Sequence, residues 1–284
     1  MIASYISLMK LRVVELLLVT TVPSLFLASN GIPKLSTTIA TLIGGTLAAG
    51  SANAFNMVIE IESDKLMART AARPIITGKI SKKASLVFAF LTGTISIAIF
   101  FAFTTLLASA LTLFAIGFYV FGYTLLLKKN TSQNIVWGGI AGCMPVLIGQ
   151  AAVTNSLTLT SWLFFLVVFF WTPPHFWALA VKYRDQYQAA DFPMLPVVAP
   201  MSNVVKQMWF HSTFMAITAM AVLISADLSI WLLIATALLI FGWKLELTRL
   251  TRNSSDLNAG RLFNWSIVFL SIYSLLIVFG VLLK

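Results

Sequence analysis

Charge is scarce in this 284-residue chain: Asp, Glu, Lys and Arg together make up 10% of it, and 59% is hydrophobic. A water-facing domain needs about 25% charged residues to cover its surface. A soluble globule is therefore excluded, and the outer face must be solvated by lipid. Cysteine is nearly absent: the single Cys143 excludes an internal disulfide and a cysteine-built metal centre. Its apolar surroundings give it a packing role. Acidic residues number 9 against 19 basic ones, a formal net charge of +10. Such an excess can mark a nucleic-acid binder, but its placement along the chain argues against that partner. Long soluble insertions are missing too, so residues 1–284 read as one integral membrane domain.

What is present is a succession of apolar runs, each close to the roughly 20 residues that cross a bilayer core. Spans are expected at 13–30, 37–59, 84–103, 106–127, 135–153, 159–181, 204–225, 228–247 and 263–283, with the third and fourth divided at Thr104-Thr105. The fold class is therefore all-α, a polytopic bundle of about nine transmembrane helices. Lys10 and Arg12 before an apolar run, with Ala28-Ser29-Asn30 after it, resemble a signal peptide weakly. The spans that follow favour a retained first helix. Lys10 and Arg12, Lys65 to Lys83, Lys128 and Lys129, Lys182 to Lys206, and Lys244 to Arg261 all fall on alternate connections, leaving only Lys34 and Lys284 opposite. The positive-inside rule then places the N-terminus in the cytoplasm and the C-terminus outside.

Acidic residues, being few, are more informative. Asn56, Glu60 and Asp64 are spaced by four, so a helix stacks them along one face at the end of the second span. Unpaired carboxylates near membrane depth cost about 2.5–3.5 kcal/mol at mid-helix on insertion scales, and a divalent cation is the simplest compensation. Mg²⁺ prefers hard oxygen ligands and shares its shell with substrate phosphates. Glu62 lies on the far side of an ideal helix and ranks below the other three. Lys65, Arg69 and Arg73 follow with the cations that a diphosphate needs. The alternative is a set of ordinary solvated loop charges, which suits Lys79, Lys82 and Lys83.

A second segment, Trp171-Thr-Pro-Pro-His175-Phe-Trp, continues to Lys182, Asp185, Asp191 and Pro193. Pro173 and Pro174 are expected to kink the sixth span and free backbone carbonyls. His175 is then an ionisable group inside the membrane, either functional or bonded to a freed carbonyl. Two loops on one side, each with carboxylates and cations at a helix exit, point to one site shared between two halves of the bundle.

At these residues the chain resembles the intramembrane prenyltransferase superfamily, and within it the protoheme IX farnesyltransferase (haem O synthase) branch. The resemblance is carried by Asn53 to Glu60, Met67 to Pro74, Tyr123 to Lys128, Asn134 to Gly142, Trp171 to Ala180 and Pro193 to Val197. It implies transfer of a farnesyl group from farnesyl diphosphate to the vinyl group of haem B with addition of water, giving haem O and diphosphate. It also implies Mg²⁺ at Asn56, Glu60, Asp64, Asp185 and Asp191, of which the first four serve as the catalytic set. Arg69, Arg73, Lys128 and Lys182 would bind the diphosphate, and His175 and Tyr123 the acceptor. The expected setting is the inner membrane, with the active site on the cytoplasmic face and a haem-handling or oxidase-assembly protein as partner. The chain departs from the pattern with Asp185-Gln186 where an acidic pair is expected, Asp191 where glycine is expected, and glutamates at 60 and 62.

Two other classes fit parts of the sequence. A prenyltransferase acting on an aromatic or quinone precursor shares the acidic loops but not the Trp-Thr-Pro-Pro-His stretch. A transporter also uses broken helices and membrane acids, but near the midplane and in repeated halves. A membrane anchor or assembly factor leaves the ladder from Asn56 to Asp64 without a role.

Overall fold

Apolar runs of this length must close all their backbone hydrogen bonds internally, and they do so as helices. The structure, a computed structural model, describes residues 2–68 and 70–284, excluding the side chains of Arg12 and Val13. The expected diphosphate ligand Arg69 therefore lies outside the described residues. The elements are α1 (Ile2–Met9), α2 (Leu11–Ser29), α3 (Leu35–Ile59), α4 (Ile61–Lys65), α5 (Lys82–Phe103) and α6 (Leu106–Gly117), which continues as a π-helix over Phe118–Leu127. There follow α7 (Asn134–Thr154), α8 (Leu159–Lys182), α9 (Arg184–Ala189), α10 (Leu195–Val198), α11 (Met201–Ser225), α12 (Ile230–Arg252) and α13 (Asp256–Leu282). Among the described residues 8 helices are long and apolar enough to cross a membrane, and a ninth crossing is made if α1 and α2, bent by 60°, act as one span.

Helix ends agree with the hydropathy reading to within about three residues except at the last connection, where α12 runs on to Arg252 rather than 247 and α13 starts at Asp256 rather than 263, and Thr104-Thr105 does divide the third span from the fourth. Thr105 caps α6 by accepting from the Ala108 amide at 3.1 Å and donates its hydroxyl to Ala151 O at 2.8 Å, which fixes the break against α7. One feature goes beyond the hydropathy reading. The fourth span is α-helical only to Gly117, and its last ten residues take the wider π register. The sixth span, α8, runs continuously from Leu159 to Lys182 with Pro173 and Pro174 inside it.

α7 and α8 form the centre of the bundle, with α2 against α7, α11 and α13 against α8, and the α3–α5 pair on one flank. Trp177, Trp243, Tyr273, Phe164 and Phe269 fill the interior, whereas Phe90, Phe101, Trp231, Leu238 and Phe279 point outward. That outward apolar face is stable only in lipid, where burial of apolar surface no longer drives helix association. Close approach and interhelical hydrogen bonds take its place. Ser51 donates to Ala89 O at 2.7 Å and Ser96 to Gly44 O at 2.7 Å, which joins α3 and α5 at both ends of their contact. Tyr273 donates to Ala219 O at 2.9 Å, tying α13 to α11.

At Gly242 a Cβ would lie 2.2 Å from Cζ2 of the Trp265 indole, a ring that cannot yield locally. Gly242→Ala is expected to destabilise the α12–α13 contact by about 1–3 kcal/mol. Gly142→Ala, which meets nothing within 4 Å, is expected to leave stability unchanged. Thermal unfolding of the two variants in one detergent measures the contrast.

Candidate active site

The site is built where α3 leaves the membrane. Glu60 caps α3 and α4 begins at Ile61, yet Glu60 N bonds Asn56 O at 3.0 Å and Asp64 N bonds Glu60 O at 2.8 Å. The i to i+4 spacing thus survives the break, and Asn56, Glu60 and Asp64 remain a ladder. All three are buried, at 2%, 3% and 1% exposure. Glu62, on the other side, is exposed and among the described residues pairs with Lys65 at 2.9 Å.

Each rung has a partner from elsewhere in the chain. Lys10, at the bend between α1 and α2, donates to Asn56 Oδ1 at 2.8 Å. Asn56 Nδ2 donates to Thr124 Oγ1 at 3.3 Å. Lys128 Nζ sits 2.5 and 2.6 Å from the two Glu60 oxygens, and Arg73 Nη1 donates to Asp64 Oδ2. One turn deeper, Tyr119 donates to Asn53 Oδ1 at 3.5 Å while Asn53 Nδ2 donates to Met9 O at 2.9 Å. Burial raises the Asp64 carboxyl above the ordinary range, and the Arg73 guanidinium pulls it back.

The π-helix makes these pairs possible. Tyr119 and Lys128 are nine residues apart, which is two and a half turns of α-helix at about 3.6 residues per turn and would put them on opposite faces. At the roughly 4.4 residues per turn that i to i+5 bonding gives, nine residues are two turns. Lys128 N bonds Tyr123 O at 2.9 Å in that register. Tyr119, Thr124 and Lys128 consequently share one face and meet Asn53, Asn56 and Glu60 of α3 in order. Tyr123 lies on the same stretch and packs so tightly on α7 that a Cβ at Gly138 would come 2.2 Å from its ring.

The second loop reaches this cluster through apolar groups rather than through its acids. Phe192 lies beneath Lys128, whose Nζ is 4.6 Å from the ring centroid. Met67 of the first loop packs in one cluster with Tyr187, Phe192 and Met194 of the second. Asp185, Asp191 and Lys182 are exposed. Among the described residues no three His, Cys, Asp or Glu side chains gather closely enough to hold a metal. The expected cluster of Glu60 and Asp64 with Asp185 and Asp191 is therefore not preformed, because Lys128 and Arg73 take up the first-loop carboxylates instead. The donor set still suits a hard divalent cation: it is all oxygen, and Asp64 Oδ1 is buried with no hydrogen-bond donor among the described residues. Gln186 Oε1, where the sequence has an amide in place of the expected acid, is likewise buried and unpartnered.

His175 is not bonded to a carbonyl freed by Pro173 and Pro174. Its Nδ1 is 2.5 Å from Ser266 Oγ on α13, and its ring is stacked between Trp171 at 4.2 Å and Phe263 at 4.6 Å. Sequence reasoning missed Lys10, Tyr119, Thr124, Phe192 and Ser266. Thr124 lies within the Tyr123–Lys128 stretch and Tyr119 just before it, but only the π register would have revealed their face.

Residues 17–268 match a family model described as the UbiA prenyltransferase family. A protein named protoheme IX farnesyltransferase from Leifsonia xyli subsp. xyli is 45% identical over 284 residues, covering 99% of this chain and 92% of its own. One of the same name from Frankia alni is 45% identical over 275 residues, covering 95% of each chain. Among solved structures, a digeranylgeranylglyceryl phosphate synthase superposes with a TM-score of 0.83 at 15% identity, covering 100% of this chain and 99% of its own. A UbiA homologue from Archaeoglobus fulgidus bound to DMAPP and Mg²⁺ gives 0.71 at 16% identity, covering 97% and 99%. At such identities these two show a shared fold.

Breaking one partner of a buried ion pair strands the other charge, at about 3–5 kcal/mol. Lys128→Met is expected to lose that much stability, and Lys128→Met combined with Glu60→Gln to regain most of it. Unfolding midpoints of the two single variants and the double variant measure the coupling.

Proposed function

The chain belongs to the UbiA prenyltransferase family, and from that premise we propose that it transfers a farnesyl group from farnesyl diphosphate to the vinyl group of haem B. Water adds in the same reaction, and the products are haem O and diphosphate. Relatives of that name at 45% identity over nearly the whole chain support the acceptor. The observation that carries the diphosphate half is the buried ladder of Asn56, Glu60 and Asp64 with Lys128 and Arg73 as its counter-cations.

Asn56, Glu60 and Asp64 would hold Mg²⁺, with Asp185 and Asp191 of the second loop on the substrate side; the ion would neutralise the charge that develops on the departing diphosphate. Lys128 and Arg73 exchange their carboxylate partners for phosphate oxygens, with Arg69 and Lys182 as further donors. The cation beneath which Phe192 lies is thereby aimed at the leaving group. Loss of diphosphate leaves an allylic farnesyl cation, which the electron-rich vinyl group attacks, and water quenches the charge that results. No side chain needs to form a covalent bond; the protein positions and stabilises. His175 and Tyr123 flank the acceptor, and the farnesyl chain lies among the apolar side chains between the helices.

The same reading sets residues 1–284 as one catalytic unit in the inner membrane. The N-terminus and the ladder face the cytoplasm, the C-terminus lies opposite, and a haem-handling or oxidase-assembly protein takes the product. In a Cys143→Ser background, a cysteine replacing exposed Lys79 is expected to react with an impermeant thiol reagent from the cytoplasmic side only. One replacing exposed Lys34 is expected to react from the other side only. Reversal of the two would invert the orientation.

Purified protein given haem B, farnesyl diphosphate and Mg²⁺ is expected to yield haem O by mass, and to yield none in chelator. Asp64→Asn is expected to lower the rate about a hundredfold, the scale of removing one group that stabilises developing charge, whereas exposed Glu62→Gln leaves it unchanged. Prenylation of an aromatic acceptor with no haem product would replace haem B in this reading.

A further inference from the structure

Two contacts of 2.5 Å converge on Ser266 Oγ, one from His175 Nδ1 and one to Phe263 O. A hydroxyl has one hydrogen, and a carbonyl has none. Two oxygens at that separation without a hydrogen between them repel, so the Ser266 hydroxyl donates to Phe263 O. What Oγ then offers His175 is a lone pair, and Nδ1 must carry the hydrogen. In a neutral imidazole this leaves Nε2 unprotonated, its lone pair directed outward in the ring plane.

The rest of the ring's freedom is removed by its neighbours. Trp171 covers one face and Phe263 the other, inclined to the imidazole by 20° and 25°. Trp171 is itself held, its Nε1 donating to Ser266 O at 2.8 Å. Ser266 thus orients His175 twice, directly through Oγ and indirectly through the indole that stacks on it. Nε2 makes no hydrogen bond among the described residues. The other buried histidine, His211, is different, since its Nδ1 is fully enclosed without a partner.

An imidazole, 4% exposed, whose Nδ1–H is committed to a fixed acceptor and whose Nε2 has no hydrogen bond among the described residues is arranged as metal-ligating histidines are. We propose that Ser266 is a positioning residue that locks His175 as the Nδ1-protonated tautomer, so that Nε2 takes the iron of the porphyrin acceptor as its axial ligand. The proposal rests on the reading of haem B as acceptor. A bond from Nε2 to iron sets the macrocycle perpendicular to the imidazole axis. Rotation about that one bond is then what remains to bring a vinyl group to the farnesyl cation.

The test compares binding of haem B and of iron-free protoporphyrin IX to the detergent-solubilised full chain. Wild type is expected to prefer haem B by about tenfold or more, and His175→Ala to bind the two equally. Resonance Raman of the ferrous haem complex is expected to show an iron–histidine stretch in wild type. The band should move to lower frequency in Ser266→Ala and be restored in Ser266→Thr, which keeps the hydroxyl. Equal affinity of wild type for the two porphyrins, or no iron–histidine band in wild type, overturns the ligation. A band unmoved in Ser266→Ala overturns the lock. Farnesyl transfer by wild type, assayed in parallel, keeps the two failures apart. Haem O formed without an iron–histidine band sinks the ligation alone, whereas prenylation of an aromatic acceptor in place of haem sinks the reading beneath it.

Discussion

Asn53, Asn56 and Glu60 stand on one face of α3, and each is met by a residue of the π-helical stretch: Tyr119, Thr124 and Lys128. The two sets pair in the same order along the chain but with different spacings, three and four residues on one side, five and four on the other. An α-helix cannot present the second set on one face; a π-helix can. The conformation of Phe118–Leu127 is therefore a condition for the site. With this register in place, Lys128 reaches Glu60, and the carboxylate tolerates near-complete burial.

Both carboxylates of the ladder are paired as it stands, Glu60 with Lys128 and Asp64 with Arg73, and Lys10 on Asn56 adds a third cation. The two buried carboxylates are tolerable because each is paired with a half-buried cation. On the proposed reading, a magnesium diphosphate would bring both a cation for the carboxylates and anions for Lys128 and Arg73, so its entry would exchange partners without stranding any of the four. Neither half of that ligand would do so alone: bare Mg²⁺ would displace two cations with nothing to receive them, and bare diphosphate would leave two carboxylates uncovered. Carboxylates held by cations, rather than gathered into a three-acid cluster among the described residues, are the starting arrangement that such an exchange requires.

The membrane helices were legible in the sequence to within about three residues at most ends, because apolar runs report on where lipid ends; α12 and α13 extend past their apolar runs into the polar stretch from Glu246 to Arg261, which hydropathy does not reveal as helix. The ladder was legible as well, since carboxylates at helical spacing beside a span are costly unless a cation meets them. The partners were not. Glu60 and Lys128 are 68 residues apart, and no local pattern links them. Lys10 was counted among orientation charges because its left-handed φ of 52°, at the bend that turns it toward α3, leaves no trace in residue type. The π stretch is as apolar as the α-helix before it, and hydropathy does not distinguish the two. Asp185 and Asp191 stand out in the sequence as carboxylates at a helix exit, and the resemblance gives them a metal; they lie exposed, and the loop's contact with the cluster runs through Phe192, an apolar residue that a search for chemistry passes over.

A π-helix amounts to an α-helix that has absorbed an additional residue, and this one extends over ten. The segment from Phe118 to Leu127 thus stores information in how many residues it has as much as in which ones. Conservative exchanges of its leucines and phenylalanines, many of which face lipid, leave the count intact. Removal of any single residue there lets the coil tighten and turns Lys128 by roughly a quarter of a circle away from Glu60, with every functional side chain still encoded. Over evolutionary time the segment should therefore vary in composition and hold its length.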